Sequence, residues 1–490
     1  MTEQDCDLLI AGGTVLTMDP GRTILEDGAV AVSAGRIEAV GPAAEVRGRY
    51  RPRRRIDASG GLVMPGLVNT HTHVIQSLLR GGLAQDRGLF DWLLNYHYAG
   101  LGRFTPDDAA LGATLYCAEA IRGGITTIVD NADERRADDV AVASIQTLAD
   151  IGIRAIYGRM FSDRDVVEPP ELGKYAEATM RRSPNVKHAT DFVEATDEAL
   201  AHTESLIRRF HGSAGGRIQV WPAPTIPNLT SEAGLMGSLE LARKHGTMVT
   251  VHLSEAPIDA TMYGMSSTEY LYSIGFLSPL VLAAHCVHCT GRDLRLLRSH
   301  DVKVAHNAIS NLYLASGFAP VADMAALGIT VGLGTDDPDC NETINMLLVM
   351  KAAALVQKAH CLDAAALTSE KVVEMATIDG ARAVGMEDRI GSLEIGKRAD
   401  VIVVDLQQPQ LQPLHHIPNA LVYQAYGSEV RTTVVDGEVL MEDRLLAFLG
   451  ERDEAALYRE AQAASLGIVQ RANLEGLDRG WMSTRPAATR

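Results

Sequence analysis

The chain has 490 residues, of which 46% are hydrophobic, 22% charged and 5% aromatic. That composition excludes a disordered or collagen-like chain, and the length allows two or three domains, or one large barrel with an accessory unit. With 62 acidic against 45 basic residues the formal charge is −17, which repels phosphate backbones and anionic lipid, so neither nucleic acid nor a membrane is an expected partner.

No apolar run approaches the roughly 18 residues that cross a bilayer. The start, Met1-Thr2-Glu3-Gln4-Asp5, lacks the basic residues and apolar core of a secretion signal. Six scattered cysteines do not make a disulfide framework. A cytoplasmic protein is expected. The densest basic run, Arg47 to Arg55, carries no interleaved aromatic except Tyr50 and reads as a solvated loop.

Residues 5–65 read as short strands. Leu8-Leu9-Ile10, Thr14-Val15-Leu16, Ala29–Val32 and Arg36–Val40 are separated by Gly12-Gly13, Asp19-Pro20-Gly21 and Gly41-Pro42, residues that supply the dihedral angles of tight turns. The pattern returns in Ala399–Asp405 and Val430–Val439. A discontinuous β-sandwich built from residues 1–65 and 391–445 is expected.

Residues 66–390 alternate. Apolar runs of strand length are Leu62–Val68, Ile125–Val129, Ile153–Tyr157, Ile218–Trp221, Met248–Val251, Leu280–Ala284, Val302–Ala305 and Ile329–Leu333. Helix-length amphipathic stretches lie between most of them: Pro106–Arg122, Asp138–Ile151, Ser231–His245, Gly291–His300 and Ala319–Leu327. Strands alternating with helices indicate parallel β/α units with buried strands, and eight of them fit a (β/α)8 barrel. On pattern alone an open doubly wound sheet is the competing arrangement. The polar stretch 161–196 reads as an insertion on the barrel rim, and 446–490 as a helix followed by a tail.

Polar residues stand where several of these strands run out. In Asn69-Thr70-His71-Thr72-His73 the two imidazoles share a face, because side chains alternate along a strand, and such a pair suits a borderline-soft divalent metal. Val251-His252-Leu253-Ser254-Glu255 adds a third imidazole and, three residues on, an acid that can return beside the metal. His285 ends the run Val281–Ala284, and Asp336 and Asp337 follow Val331–Thr335. In a barrel all four positions converge on the rim where catalysis occurs.

Pro65-Gly66-x-x-Asn69-x-His71-x-His73, His252-x-x-Glu255, His285 and Gly334-Thr335-Asp336 together resemble the amidohydrolase superfamily. Within it the set is most similar to the deaminase and triazine-hydrolase branch, which includes cytosine, guanine and methylthioadenosine/S-adenosylhomocysteine deaminases. Gly391-Ser392-Leu393-Glu394-x-Gly396-Lys397-x-Ala399-Asp400, Ser310-Asn311-Leu312 and Leu89-Phe90-Asp91-Trp92-Leu93 match it as well.

The resemblance implies His71, His73, His252 and Asp336 as metal ligands, Glu255 as proton shuttle and His285 as the residue that positions the attacking water, with Asp336 also holding it. It implies an aminohydrolase in which metal-activated hydroxide removes an amino or alkylamino group from a purine, pterin, pyrimidine or s-triazine type of ring. A hydrolytic dehalogenase or cyclic-amide hydrolase is the alternative, and a non-catalytic scaffold a remote one. Binuclear relatives carry a bridging lysine at the end of the fourth strand, and Arg217–Pro224 has none, so one divalent ion is expected, zinc first, iron(II) fitting the same ligands.

A homodimer or larger assembly is the family precedent. Gln85, Trp92, Asn311 and Asp337 are candidate substrate contacts, although relatives often carry aspartate at the Gln85 position and a small residue at that of Asp337. His288 is expected near the metal without binding it, and Cys286 and Cys289 in the core. His97, His306 and His360 read as packing histidines, with His306 alone placed to face the site.

Overall fold

The computed structural model describes residues 4–83, 85–133, 138–166, 168–169, 172–174, 192–450 and 453–477. Most of the predicted 161–196 insertion and the tail beyond residue 477 lie outside the described residues.

The N-terminal segment forms β1 (Gln4–Leu16), β2 (Ile24–Ser33), β3 (Arg36–Pro42), β4 (Tyr50–Asp57) and β5 (Gly61–Pro65). The sequence reading splits β1 into two strands at Gly12-Gly13, whereas the structure keeps one strand with a shift of register there. Gly12 takes φ of 99° and Gly13 packs so closely that a Cβ would meet the Ala58 carbonyl at 2.5 Å. The glycines thus make a bulge rather than a turn. The basic run is not a loop either, since Arg51, Arg53, Arg54 and Arg55 lie on β4, paired in parallel with β1.

The barrel strands are β6 (Leu67–Thr72), β7 (Ile125–Ala132), β8 (Arg154–Phe161), β9 (Ile218–Pro224) and β10 (Val249–Leu253). A small hairpin follows, β11 (Thr261–Met262) and β12 (Met265–Ser266), and then β13 (Val281–His285), β14 (Lys303–His306) and β15 (Val331–Leu333). The run Leu62–Val68, read as one strand, divides at Gly66. Its first part, β5, pairs with the terminal sheet, and its second part opens the barrel.

Two parallel four-stranded halves, β6-β7-β8-β9 and β10-β13-β14-β15, make the barrel. They close where His252 N–H donates to the Thr225 carbonyl (3.0 Å) and Asp336 N–H to that of His71 (2.9 Å). Strands β6, β7, β8, β10 and β13 are buried along their whole length, as a sheet with both faces covered requires.

Helices sit where the amphipathic pattern places them, at Pro106–Arg122, Asp138–Ile151, Glu232–His245 and Gly291–Ser299. Their starts are chemically marked. Thr105 with Asp108 and Thr290 with Asp293 form capping boxes, and the Ser231 hydroxyl accepts from Gly234 N–H.

The chain returns through β16 (Val401–Asp405), β17 (Val430–Val435), β18 (Glu438–Glu442) and β19 (Leu445–Leu446) to complete a nine-stranded sheet with β1–β5. The helix Glu454–Arg471 then packs on Pro106–Arg122, with Arg471 2.6 Å from Asp108. No helix among the described residues is long and apolar enough to cross a membrane.

Sheet and barrel are joined by a buried ion pair. Arg154, at the start of β8, has Nε and Nη2 2.8 and 2.9 Å from the Asp400 carboxylate, with Asp436 at 3.4 Å, and its side chain is wholly buried. Removing one partner of such a pair leaves an uncompensated buried charge and costs about 3–5 kcal/mol. Asp400→Asn is therefore expected to lower the urea midpoint by an amount of that order while leaving bound metal unchanged, because Arg154 lies at the opposite end of the barrel from the histidines. An unaltered midpoint would contradict the role assigned to the pair.

Candidate metal centre and active site

His71 is the penultimate residue of β6 and is fully buried, and His73 follows directly after the strand. Their Nε2 atoms lie 3.2 and 3.5 Å from Asp336 Oδ1. The His71, His252 and His285 rings come together, each pair of centroids between 4.8 and 5.4 Å apart. Two overlapping sets, His71 with His252 and His285, and His71 with His73 and Asp336, have donor atoms within 4.8 Å of one another.

Among the described residues buried His71 Nε2 has only the 3.2 Å approach of Asp336 for a partner, and a cation between the two would satisfy both. Two donors of a tetrahedral ion at about 2.0–2.2 Å stand roughly 3.3–3.6 Å apart, close to the spacings of His71 and His73 from Asp336. Imidazoles with one carboxylate fit a divalent metal of zinc type.

Neighbours fix the His71 and His252 rings. Asn131 lies 2.8 Å from His71 Nδ1 and accepts from the Thr250 hydroxyl at 3.0 Å. The amide nitrogen faces Nδ1 and the amide oxygen faces Thr250; ligation through Nε2 needs the proton on Nδ1, which the amide accepts once turned over, the Thr250 hydroxyl then accepting from its N–H. His252 Nδ1 donates to the Thr225 carbonyl (3.0 Å), leaving Nε2 for an ion. The Asp130 carboxylate accepts from Val74 N–H (3.0 Å) and holds the turn after His73.

Asn69 ties β6 to β15, its Nδ2 2.8 Å from the Thr335 hydroxyl and its Oδ1 accepting from Thr335 N–H at 2.9 Å. Gly334 lets these strands meet, since a Cβ there would lie 2.2 Å from Asn307 Oδ1 and 2.9 Å from His71 Cβ.

The acid and the fourth imidazole stand beside the ligands. His285 Nε2 is 3.5 Å from Glu255 Oε2 and 3.9 Å from Asp336 Oδ2, while Nδ1 donates to Asn311 Oδ1 at 2.9 Å. Burial lowers His285, so the ring is neutral and its Nε2 presents a lone pair toward the two carboxylates. Burial and the Asp336 charge hold Glu255 well above the usual carboxylate range. Burial likewise takes His71 down to about 4. Asp336 is held well below its ordinary value, because His285, His71 and His73 outweigh the effect of burial. Ser254, His285, Cys286 and Asp336 all have positive φ, between 51° and 71°, so backbone strain collects where the strands end.

A cavity opens over this cluster, with apolar walls that include Leu89, Phe90, Trp92, Tyr98, Met160 and Leu229. His73, His252, Glu255, His285, Asp336 and Asp337 line it as well. Of the candidate substrate contacts, Trp92 and Asp337 are in its wall. Gln85 is exposed and outside it, on the loop before Trp92. Asn311 is bound to His285 rather than to the cavity.

His288 Nε2 bonds to the Ser316 carbonyl (2.9 Å), and Cys286 and Cys289 are buried free thiols in the main core. His306 is buried, with neither ring nitrogen hydrogen-bonded among the described residues, and is not in the cavity wall. His97 departs from the packing role read for it. It lines the cavity, and its Nδ1 lies 3.4 Å from Asp337 and 3.6 Å from Asp339. Asn131 was also missed by the sequence reading, although Asp130-Asn131 directly after the apolar run Ile125–Val129 is the same strand-end signal.

The sequence matches the amidohydrolase family over residues 62–440. The chain belongs to that family. This amidohydrolase is 38% identical over 486 residues to an S-triazine hydrolase of Gordonia rubripertincta, covering 97% of this chain and 99% of the relative. It is 36% identical over 474 residues to a 5'-deoxyadenosine deaminase of Methanosarcina mazei, covering 95% and 99%. Its fold superposes with a TM-score of 0.84 and 31% identity on an adenosine deaminase from Xanthomonas campestris with bound zinc, covering 96% of this chain and 100% of that one. The amidohydrolase is a hydrolase of carbon–nitrogen bonds.

Partners that orient metal-binding histidines contribute about 10–100-fold to affinity. Asn131→Ala is expected to weaken zinc binding by that factor in a chelator competition, with the fold intact by circular dichroism. Unchanged affinity would remove Asn131 from the centre.

Proposed function

We propose that this amidohydrolase removes an amino or alkylamino group from an electron-poor nitrogen heterocycle, releasing ammonia or an amine, with one divalent ion, zinc first, held by His71, His73, His252 and Asp336. The observation that carries the reading is the placement of Glu255 and His285 within 3.5 Å of each other, beside Asp336, under an aromatic and apolar cavity. The S-triazine and adenine-type relatives support a flat ring as the substrate.

When bound, the ion supplies a Lewis acid that makes water a nucleophile near neutral pH. The chain's own residues do the rest. Neutral His285, locked by Asn311, accepts a hydrogen bond from the water and aims it. As the water oxygen bonds to the ring carbon, the Glu255 carboxylate takes a proton and gives it to the adjacent ring nitrogen. Glu255 then carries the second proton from the new hydroxyl to the exocyclic nitrogen, the C–N bond breaks, and a ring carbonyl remains. Burial beside Asp336 suits Glu255 to this shuttle by keeping a proton bound between transfers. Trp92 offers a face for the ring and the apolar walls exclude competing water.

A screen of the zinc-loaded protein against purines, pterins, pyrimidines and amino- and chloro-s-triazines, reading ammonia or amine and halide in parallel, tests the reaction. Amine release from one ring class is expected. Halide release alone would favour the dehalogenase, and neither would overturn the proposal. Glu255→Gln is expected to keep its zinc while kcat falls roughly 10²–10⁴-fold, the usual worth of a positioned acid–base group. A variant turning over near the wild-type rate would remove Glu255 as the shuttle.

A further inference from the structure

A second group of buried donors lies next to the catalytic cluster and plays no part in the mechanism above. It joins His97, the last residue of the π-helical turn Leu93–His97, to Asp337 and Asp339, which follow the metal-ligating strand end. All three are nearly fully buried, at 2%, 1% and 4% exposure. Their ligand atoms fall within 4.8 Å of one another.

Donors from the rest of the chain do not account for the arrangement. Asp337 Oδ1 accepts from Asp339 N–H at 3.2 Å and caps the short helix Pro338–Asn341. Among the described residues no N–H or O–H of another side chain or of the backbone reaches Asp337 Oδ2, either carboxylate oxygen of Asp339 or His97 Nδ1, and the two acids have only each other to share a proton with. Buried carboxylates without donors are costly, and folded proteins otherwise pair them or use them to coordinate metals.

The imidazole is a separate observation pointing to the same occupant. It arrives from a distant part of the chain, and its orphaned Nδ1 stands 3.4 Å from Asp337 Oδ2 and 3.6 Å from Asp339 Oδ2. Those are the separations expected between ligands of one tetrahedral ion, roughly 3.3–3.6 Å. Burial and mutual repulsion hold Asp337 well above the usual carboxylate range and push Asp339 up to about 7, so a dication that displaced their protons would be matched in charge by the two carboxylates, and the nitrogen donor favours zinc or manganese over calcium.

We infer that His97, Asp337 and Asp339 form a second divalent-cation site, separate from the His71–His73–His252–Asp336 centre. An ion there fastens the cavity wall to the end of β15, because the Trp92 ring packs against His97 with centroids 4.5 Å apart. It is a positioning site and takes no part in bond breaking. The inference does not depend on which heterocycle the enzyme accepts.

Zinc is the probe. The full-length protein, saturated with Zn2+ and freed of excess by gel filtration, is expected to hold two equivalents per chain by elemental analysis, and one in Asp339→Asn or His97→Gln. Crystals of the wild-type protein are expected to show two anomalous peaks at the zinc edge, one of them between His97 and Asp339. The wild-type map keeps the test independent of whether either variant folds. One equivalent in the wild-type protein, or no anomalous peak at His97, would overturn the second site. Loss of catalytic turnover with both peaks present would instead count against the proposed reaction.

Discussion

Everything in the molecule is arranged around an electrostatic demand. Three imidazoles and a carboxylate are drawn into a water-poor space at one end of a closed parallel sheet. His71 is wholly buried, and burial would push the Asp336 carboxyl up, whereas its contacts with His285, His71 and His73 hold it well below its ordinary value. Such a cluster is expensive as bare protein and favourable around a divalent ion. A divalent ion bound there would give the buried donors a partner and supply a Lewis acid for the chemistry.

The scaffold meets that demand by making ligand placement part of barrel closure. Asp336 is both the proposed ligand and the residue whose N–H reaches the His71 carbonyl where β15 meets β6. Asn69 and Thr335 lock the same seam, and Gly334 lets it close. Ser254, His285, Cys286 and Asp336 leave their strands in left-handed conformations, which cost of order 1–3 kcal/mol each and turn side chains inward that a continuing strand would carry past the site. The buried Arg154–Asp400 pair sits at the far end of the barrel. Stability and chemistry are thus placed at opposite ends of the same strands.

Much of this was legible in the sequence because buried parallel strands are apolar runs and amphipathic helices carry their own capping residues. The helices Pro106–Arg122 and Asp138–Ile151 have the bounds read from the pattern. Strand ends were less visible. An apolar run stops at the first polar residue, whereas β7 continues to Ala132 and β8 to Phe161, because the polar residues facing the site are buried too. Asn131 was missed for that reason. Gly12-Gly13 resembles a turn to any local rule, and only packing against Ala58 shows it to be a bulge. His97 could not be assigned from sequence, because its partners, Asp337 and Asp339, are remote in the chain and meet it only through the fold.

The most direct test is X-ray absorption on the zinc-loaded protein combined with an anomalous difference map. The account predicts a peak at His71, His73, His252 and Asp336, with nitrogen and oxygen ligands at about 2.0–2.2 Å. A map without density at that position, or with an ion bound there by fewer than three of those four side chains, would contradict it.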